Sequence, residues 1–293
     1  MRLHIEHATS YLYDRPVRFG RHRLVLRPRE GHELRLEQMD LRLEPAHEVM
    51  WTRDIFGNSI AFVDWLEPSN VLTIVSDVTV ERLTTFPSRN FHQPSRVAFP
   101  PQYEPLETAI THVYQSLTYV ADAPAVQAWL RSAFSPIPDD AEGTMLALCG
   151  LVYRSVKYQR RSDKGVQNPA RTLELGTGSC RDMATLMMEA ARVLRVAARF
   201  ASGYLHCTAS MAGYASTHAW AEVYLPTLGW RGFDPTIGAA SSIRHVVTGV
   251  SSHPRGVMPV SGSFVAANAS YQGLQVTVKT EELASRATSV PAL

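Results

Sequence analysis

Hydrophobic and polar residues alternate along nearly the whole first part of the chain, from residue 2 to about 83. A period of two predicts β-strands with one buried face, and the Pro, Gly and Asn residues between the runs predict turns. In one run, Leu34 and Leu36 and then Leu41 and Leu43 face the same way. Short strands without intervening helices predict a β-sandwich of about 85 residues. The predicted strands are LHIEHATSYLY, HRLVLRPRE, LRLEQMDLRLEP, SIAFVDWLE and NVLTIVSDVTVERL.

A proline-rich stretch separates this part from a second one of different character. From Glu104 onwards, apolar residues recur at spacings of three and four, as in PLETAITHVYQSL, PAVQAWLRSAF and DDAEGTMLALCGLVYRSV. Strand-like runs follow, among them RFASGYLHC, THAWAEVYL, GWRGFD and LQVTVKTEEL. Helices followed by an antiparallel sheet predict an α+β fold. We therefore expect an N-terminal β-rich domain over 1–85, a linker over 86–103 and a catalytic core with a C-terminal extension over 104–293.

The stretch GTGSCRDMATLMMEAARVL, residues 176–194, predicts a helix with a cysteine at its start. Ser179 is a good N-cap and Asp182 follows three residues later, which is a variant of the capping box and puts Cys180 at the first helical position. Amide dipoles converge on a helix N-terminus and stabilise a thiolate there. The alternative is a small buried apolar residue, which is the commoner fate of a free cysteine.

Two later runs supply partners for this thiol. His218 opens the run THAWAEVYL, Pro226 to Gly229 form a turn, and Asp234 closes the run GWRGFD. A hairpin with Tyr224 opposite Gly229 would place Asp234 across from Ala219, beside His218. The thiol needs a base, and the base needs a third group that fixes its tautomer and charge. The same residues could hold zinc, but the sequence shows no fourth ligand.

Composition narrows the classes of function. The chain has 293 residues, a formal net charge of +2 and three cysteines, Cys149, Cys180 and Cys207. Scattered Lys and Arg give no concentrated basic surface, so we expect no nucleic-acid partner. The sequence contains no run of about eighteen apolar residues, and its N-terminus lacks the apolar core of a signal peptide, so we expect no membrane partner and a cytoplasmic location. An odd cysteine count at no metal-ligand spacing argues against a disulfide framework.

These motifs together resemble the bacterial branch of the transglutaminase-like superfamily of papain-type cysteine enzymes. The resemblance covers 152–236 through GSCRD, GY, THAWAEV and GWRGFDPT, in that order. The N-terminal strands and IRHVVTGVSSHPRGVMPVSG resemble the β-rich domain and the C-terminal extension of this branch. It implies that Cys180 is the nucleophile, His218 the general base and Asp234 the orienting carboxylate. The implied core is a helix carrying the cysteine, packed on an antiparallel sheet that carries the other two.

The resemblance also bears on neighbouring residues. Tyr158 and Gln159 lie where the superfamily places a side-chain donor for the oxyanion, beside the Cys180 amide as the other donor; core packing of Tyr158 is the alternative. Where a Gly-Ile-Pro-Ala-Arg run is expected, the chain has RVAARF, which leaves Arg199 in a supporting role through charge or packing. His206 and Cys207 are adjacent on a strand, where neighbouring side chains face opposite ways, and so do not predict a second pair.

The sequence therefore predicts a cysteine-dependent enzyme that transfers an acyl group from an amide, with a peptide or protein substrate and without a metal or other cofactor. Hydrolysis of a peptide or amide and transamidation both stay open, because groove shape and water access decide between them. A catalytically silent protein-binding module and a structural protein with a redox thiol are the rival classes. Oligomeric state does not follow from the sequence.

Overall fold

The computed structural model describes residues 1–83, 96–161, 165–206, 217–265 and 268–284. They form two compact units, the first from described residues within Met1–Phe86, Tyr204–Thr217 and Pro259–Leu293, the second within Pro87–Gly203 and His218–Met258. The strands are β1 Arg2–Phe19, β2 His22–Leu24, β3 Leu34–Glu44, β4 His47–Arg53, β5 Ser59–Trp65, β6 Ser69–Arg82, β7 Lys157–Tyr158, β8 Thr177–Gly178, β9 Ala198–Leu205, β10 Thr217–Leu225, β11 Gly229–Asp234, β12 Ala239–Ala240, β13 His245–Ser251, β14 Val260–Ser261, β15 Phe264–Val265 and β16 Tyr271–Leu283.

The helices among the described residues all lie in the second unit. The α-helices are α1 Pro105–Gln115, α2 Ala123–Ala133, α3 Ala141–Ser155, α4 Pro169–Leu175 and α5 Cys180–Val193, with short 3-10 helices at Val120–Asp122 and Pro254–Val257. No helix among the described residues is long and apolar enough to span a bilayer.

The first unit contains two sheets whose inner faces share a core. One sheet has the order β15-β1-β6-β3 with β16 also paired to β1, and the other has the order β14-β2-β5-β4. Leu72 and Ile74 of the first sheet and Ala61 and Val63 of the second belong to the same buried cluster. Each fully buried aliphatic side chain contributes about 1.5–3 kcal/mol to this packing. The predicted β-rich N-terminal region is thus confirmed.

In strand β3, leucines at even-numbered and at odd-numbered positions lie on the same face, and a β-bulge explains this. Leu34 and Leu43 are both buried, although one has an even and the other an odd number in an otherwise alternating strand. The pairing of β3 with β6 shifts register between Leu36 and Gln38. A β-bulge inserts one extra residue and reverses the parity beyond it. The strand β4, which the sequence analysis missed, is the edge of its sheet and is largely exposed, so no alternation marks it.

In the second unit, helix α5 and a five-stranded β-sheet share one core. The sheet has the order β12-β11-β10-β9-β13. Along β10, Ala219, Ala221 and Val223 are buried in one cluster with Met183 and Met187 of α5. The alternate residues of β10, His218 and Trp220 among them, therefore point to the other face of the strand. The predicted α+β core is confirmed.

The hairpin register differs by one residue from the predicted one. Leu225, not Tyr224, lies opposite Gly229, and Ala221 pairs with Phe233. The turn has three residues, and both Thr227 and Gly229 have positive φ, which a sequence containing Pro-Thr-Leu does not signal. If this register is extended by one residue, Asp234 lies across from Trp220 instead of Ala219. Trp220 and His218 share one face of β10, so Asp234 lies on the face that carries His218.

Two further features differ from the sequence analysis. Helix α4 is not among the predicted elements, because seven residues are too few for a periodic pattern; Asn168 caps it by accepting the Arg171 N–H at 2.9 Å. The described residues from Pro259 onwards group with the first unit, whereas the prediction assigned them to the core and its C-terminal extension. The reason is the antiparallel pairing of β16 with β1, from Arg2 opposite Leu283 to Tyr13 opposite Tyr271.

The expected linker over 86–103 is described only from residue 96. There the chain lies against the loop before α3. The Phe99 N–H donates to the Asp139 carbonyl at 3.2 Å, and the Ala141 N–H donates to the Val97 carbonyl at 2.7 Å. This described end of the segment is therefore part of the second unit.

Candidate active site

The N-terminus of α5 presents Cys180 as the sequence predicted. Cys180 is the first residue of the helix, Ser179 is its N-cap, and Asp182 accepts the Ser179 N–H at 2.8 Å to complete a capping box. The thiol is largely buried, with 8% of the residue exposed. Since the first-turn N–H groups point out of the helix end, the thiol lies in a field that favours an anion.

Asp182 does more than cap the helix. Its fully buried carboxylate also accepts from Arg161 Nε at 2.8 Å and from the Gln167 N–H at 2.7 Å. Burial alone raises the pKa of Asp182, but the hydrogen bonds from Arg161 and from the Ser179 and Gln167 amides outweigh it and lower the pKa. The charged carboxylate therefore ties the segment before α4 to the turn that carries Cys180.

His218 and Asp234 meet at the ends of neighbouring strands. His218 Nε2 lies 2.7 Å from Asp234 Oδ2. The other carboxylate oxygen accepts from the Thr236 N–H at 2.9 Å and from the Thr236 hydroxyl at 2.6 Å. The Asp234 carboxylate is fully buried, so these bonds replace the water it has lost.

The thiol of Cys180 lies beside the His218 imidazole. Because Nε2 of His218 is engaged by Asp234, Nδ1 is the ring nitrogen left for the thiol. Burial alone lowers the pKa of His218, but hydrogen bonding and charge interaction with Asp234 and Cys180 outweigh it and raise the pKa to about 10. This geometry favours an imidazolium held by the Asp234 carboxylate.

A second histidine, His245, also binds Asp234, and sequence reasoning missed it. Its Nε2 lies 3.1 Å from Asp234 Oδ2, the oxygen that His218 uses. Its Nδ1 accepts the Ser242 N–H at 3.0 Å, so the proton of a neutral His245 must be on Nε2, where it donates to Asp234. Burial alone raises the pKa of Asp234, but the hydrogen bonds from His218 and His245 hold that pKa well below its usual range.

The indole of Trp220 packs against the imidazoles of both His218 and His245. Its ring is nearly parallel to that of His218, at 6.2 Å between centroids, and nearly perpendicular to that of His245, at 5.0 Å. Trp220 is fully buried, so neither imidazole can rotate without displacing it. The sequence offered a signal for this contact, since His218 and Trp220 are two residues apart on one strand.

Arg199 has the supporting role that was expected, through both charge and packing. Its Nε donates to Glu222 Oε2 at 2.8 Å, and its guanidinium lies 3.8 Å from the centre of the Trp230 ring. The pair is largely buried, and the cation is held by a carboxylate and an aromatic face at once. Arg199 therefore stabilises three strands of the sheet, β9, β10 and β11.

Tyr158 and Gln159 lie beside the turn that leads to Cys180. Tyr158 pairs with Gly178 in the parallel β7–β8 bridge, and the Gln159 N–H donates to the Gly178 carbonyl at 2.8 Å. Tyr158 is 40% exposed, which does not fit the alternative of core packing. A role of either residue in an oxyanion hole stays a prediction.

Further cysteines and histidines lie outside this cluster. Cys149 is buried in the core, where burial and the charge of Asp234 raise the pKa of its thiol to about 12. His206 Nδ1 lies 3.0 Å from the Thr280 hydroxyl. His253 accepts the Arg255 N–H at 3.0 Å and so caps a 3-10 helix. Cys207 lies outside the described residues.

His245 also bears on the alternative of a metal site. The ligand atoms of His218, Asp234 and His245 lie within 4.8 Å of one another. Tetrahedral zinc, with bonds of about 2.0–2.1 Å, would hold such atoms about 3.3 Å apart. The 2.7 Å between His218 Nε2 and Asp234 Oδ2 is instead the distance of a direct hydrogen bond. The arrangement fits proton chemistry better than metal ligation.

Fold and site together define a class: a helix N-terminal thiol beside an imidazole and a carboxylate, on an α+β core of the transglutaminase and cysteine protease type. Residues 3–81 match the family described as the bacterial transglutaminase-like N-terminal region, and residues 127–235 match the transglutaminase-like superfamily. The chain is therefore a bacterial transglutaminase-like superfamily protein, of a family whose chemistry is cysteine-based acyl transfer.

Two known proteins match nearly the whole length of the chain. The chain is 23% identical over 303 residues to an uncharacterized protein of Mycobacterium leprae (strain TN), covering 97% of this chain and 99% of that protein. The crystal structure of a candidate cysteine protease from Cytophaga hutchinsonii superimposes with a TM-score of 0.72 at 16% identity, covering 98% of this chain and 92% of that one. This second likeness shows that the fold is shared over both units.

Proposed function

We propose that the protein is an enzyme that transfers an acyl group from an amide through a thioester on Cys180. One observation carries the proposal: the thiol at the start of α5 lies beside the imidazole of His218, which in turn is held by the buried carboxylate of Asp234. These are the nucleophile, the proton carrier and the orienting group that acyl transfer needs.

The first half-reaction follows from this arrangement. The Cys180 thiolate attacks the amide carbon, and the carbonyl oxygen becomes an oxyanion. The C–N bond then breaks while the His218 imidazolium gives its proton to the leaving nitrogen, so that an amine or ammonia departs and a thioester remains. Asp234 keeps the imidazole oriented throughout and stabilises its charged form.

The second half-reaction reverses these roles. Neutral His218 takes a proton from water or from an amine, whose oxygen or nitrogen attacks the thioester carbon. The C–S bond breaks, which restores the thiolate and the imidazolium. With water the product is a carboxylic acid, as in a protease or amidase, and with an amine it is a new amide, as in a transglutaminase. We propose hydrolysis of a peptide or amide as the main reaction and transamidation as the second.

A library of peptides that contain glutamine and internal amides tests the proposal. We expect cleavage or deamidation by the parent protein, read by mass spectrometry, and no turnover by Cys180→Ala, which should keep the parent's circular dichroism spectrum. A labelled primary amine in the same reactions measures transamidation. If the alanine variant matched the parent, the thioester would be ruled out. If neither reaction occurred in the parent across the library, a silent binding module would be the better account.

A further inference from the structure

A groove of roughly 510 Å³ opens beside the candidate site, within the second unit. Its walls include the end of α3, the strand β7 and the turn after β11. Thr236 in this wall donates its hydroxyl to Asp234 and lies 3.5 Å from His218 Nε2. Met183, one turn beyond Cys180, also lines the groove. A substrate whose amide reaches the thiol would therefore place neighbouring residues in or along it.

The groove carries two cations and two exposed aromatic rings. Arg154 and Lys157 line it, and neither has a carboxylate within 4.0 Å among the described residues. Tyr153 and Tyr158 line it as well and are 52% and 40% exposed. Within the described residues no Asp or Glu lines the groove. Its charge is thus positive, and exposed tyrosines at a concave site are typical of binding surfaces.

The adjoining sequence extends this charge. In YRSVKYQRR, residues 153–161, four cations occur without an acidic residue. Only one of the four, Arg161, is paired by a carboxylate of the described residues, the buried Asp182. The other three side chains are exposed. Positive charge at a cleft attracts and orients a negatively charged ligand.

We propose that this groove binds an acidic side chain of the peptide or protein substrate, next to the amide that Cys180 attacks. The inference rests on the proposed function and names its substrate class. Arg154 and Lys157 would pair with the carboxylate, while the tyrosine rings would cover the adjoining backbone. Exposed ion pairs are individually weak, so the preference should be modest and should shrink in high salt.

Three peptides that differ only by Glu, Gln or Lys beside a chloroacetamide group test the proposal. The rate at which each alkylates Cys180 is measured by intact mass. We expect the parent to react roughly five- to tenfold faster with the Glu peptide than with the Lys peptide at low salt. The double variant Arg154→Gln, Lys157→Gln should bring this ratio close to one. The double variant Arg15→Gln, Arg131→Gln removes the same charge from exposed positions outside the groove and should keep the ratio.

A binding assay separates the groove proposal from the proposed function. It measures how tightly Cys180→Ala binds the same three peptides made without the reactive group. A Glu preference in binding that disappears in the Arg154, Lys157 double variant supports the groove, even if no peptide alkylates the parent and the proposed function fails. Equal binding and equal alkylation of the three peptides would overturn the groove proposal and leave the thiol chemistry standing. A preference that survives the double variant would overturn it too.

Discussion

Asp234 is the residue on which the site depends, because one of its oxygens serves two imidazoles. Oδ2 accepts from His218 and His245, while Oδ1 accepts twice from Thr236. A buried carboxylate with four donors is both charged and fixed in orientation. It therefore determines the position and the charge of His218.

The titration of His218 should reveal this dependence. Its pKa is raised from 6.5 to about 10, so pairing with Asp234 and Cys180 stabilises the fold fully below pH 6.5, and this contribution is lost as pH rises towards 10. In Asp234→Asn we expect the pKa of His218, measured by NMR, to fall by about 1–3 units. Thr236→Val removes only one donor to Asp234 and should shift it less. A pKa near 6.5 in the parent would contradict the pairing.

His245 should affect turnover through Asp234. Losing its donor removes one cause that lowers the pKa of Asp234, so in His245→Ala the acid limb of the pH–rate profile should move to higher pH. We expect turnover to fall by about ten- to a hundredfold, because a hydrogen bond to a charged group contributes about 1.5–3 kcal/mol and each 1.4 kcal/mol is about a factor of ten. His245→Gln retains a donor and should recover most of the loss. If the acid limb of His245→Ala matched that of the parent, the proposed action of His245 through Asp234 would be wrong.

At the scale of single elements, the start of α5 depends on Asp182. Asp182→Ala removes the capping box and the buried carboxylate to which Arg161 donates, so we expect a loss of about 3–5 kcal/mol in the free energy of unfolding. Glu174→Ala breaks an exposed pair with Arg171 and should cost at most about 0.5 kcal/mol. Urea unfolding of both variants measures the difference. Equal losses would mean that Asp182 is not a structural anchor.

The elements that the sequence predicted are those with a local signal. The start of α5 was predictable because Ser179 and Asp182 stand at fixed offsets from Cys180. The contact of His218 with Asp234 was predictable because one visible turn joins their strands, although the positive φ of Thr227 displaced the register by one residue. His245 reaches Asp234 through the non-local packing of β13, and no local pattern predicts such a contact.

At the scale of the whole molecule, a late strand of the chain pairs with the first one. Strand β16 pairs along β1, so the first unit is closed by residues from both ends of the sequence. The alternation of polar and apolar residues predicted most of β16 but not its pairing with β1. Alternation determines which side chains share a face of a strand, and it does not determine which strand lies alongside. The assignment of the chain's last part to the core failed for this reason.

The closing strand should be needed for the stability of the first unit. Val278 is buried, with 4% of its surface exposed, whereas Val276 on the same strand is 39% exposed. Val278→Asp buries a carboxylate and should lower the free energy of unfolding of this unit by several kcal/mol, roughly 3 or more. Val276→Asp makes the same change where water reaches it and should cost about 1 kcal/mol or less. Thermal unfolding that ranks the two variants equally would contradict the pairing.

The proposed chemistry depends on a reactive thiol at Cys180. Iodoacetamide labelling of each cysteine near neutral pH, followed by mass spectrometry, measures this reactivity. We predict that Cys180 reacts roughly ten- to a hundredfold faster than Cys149, that His218→Ala removes most of this advantage, and that His206→Ala leaves it unchanged. If Cys180 labelled no faster than Cys149, or at the same rate in His218→Ala as in the parent, the proposed nucleophilic role of Cys180 would be wrong.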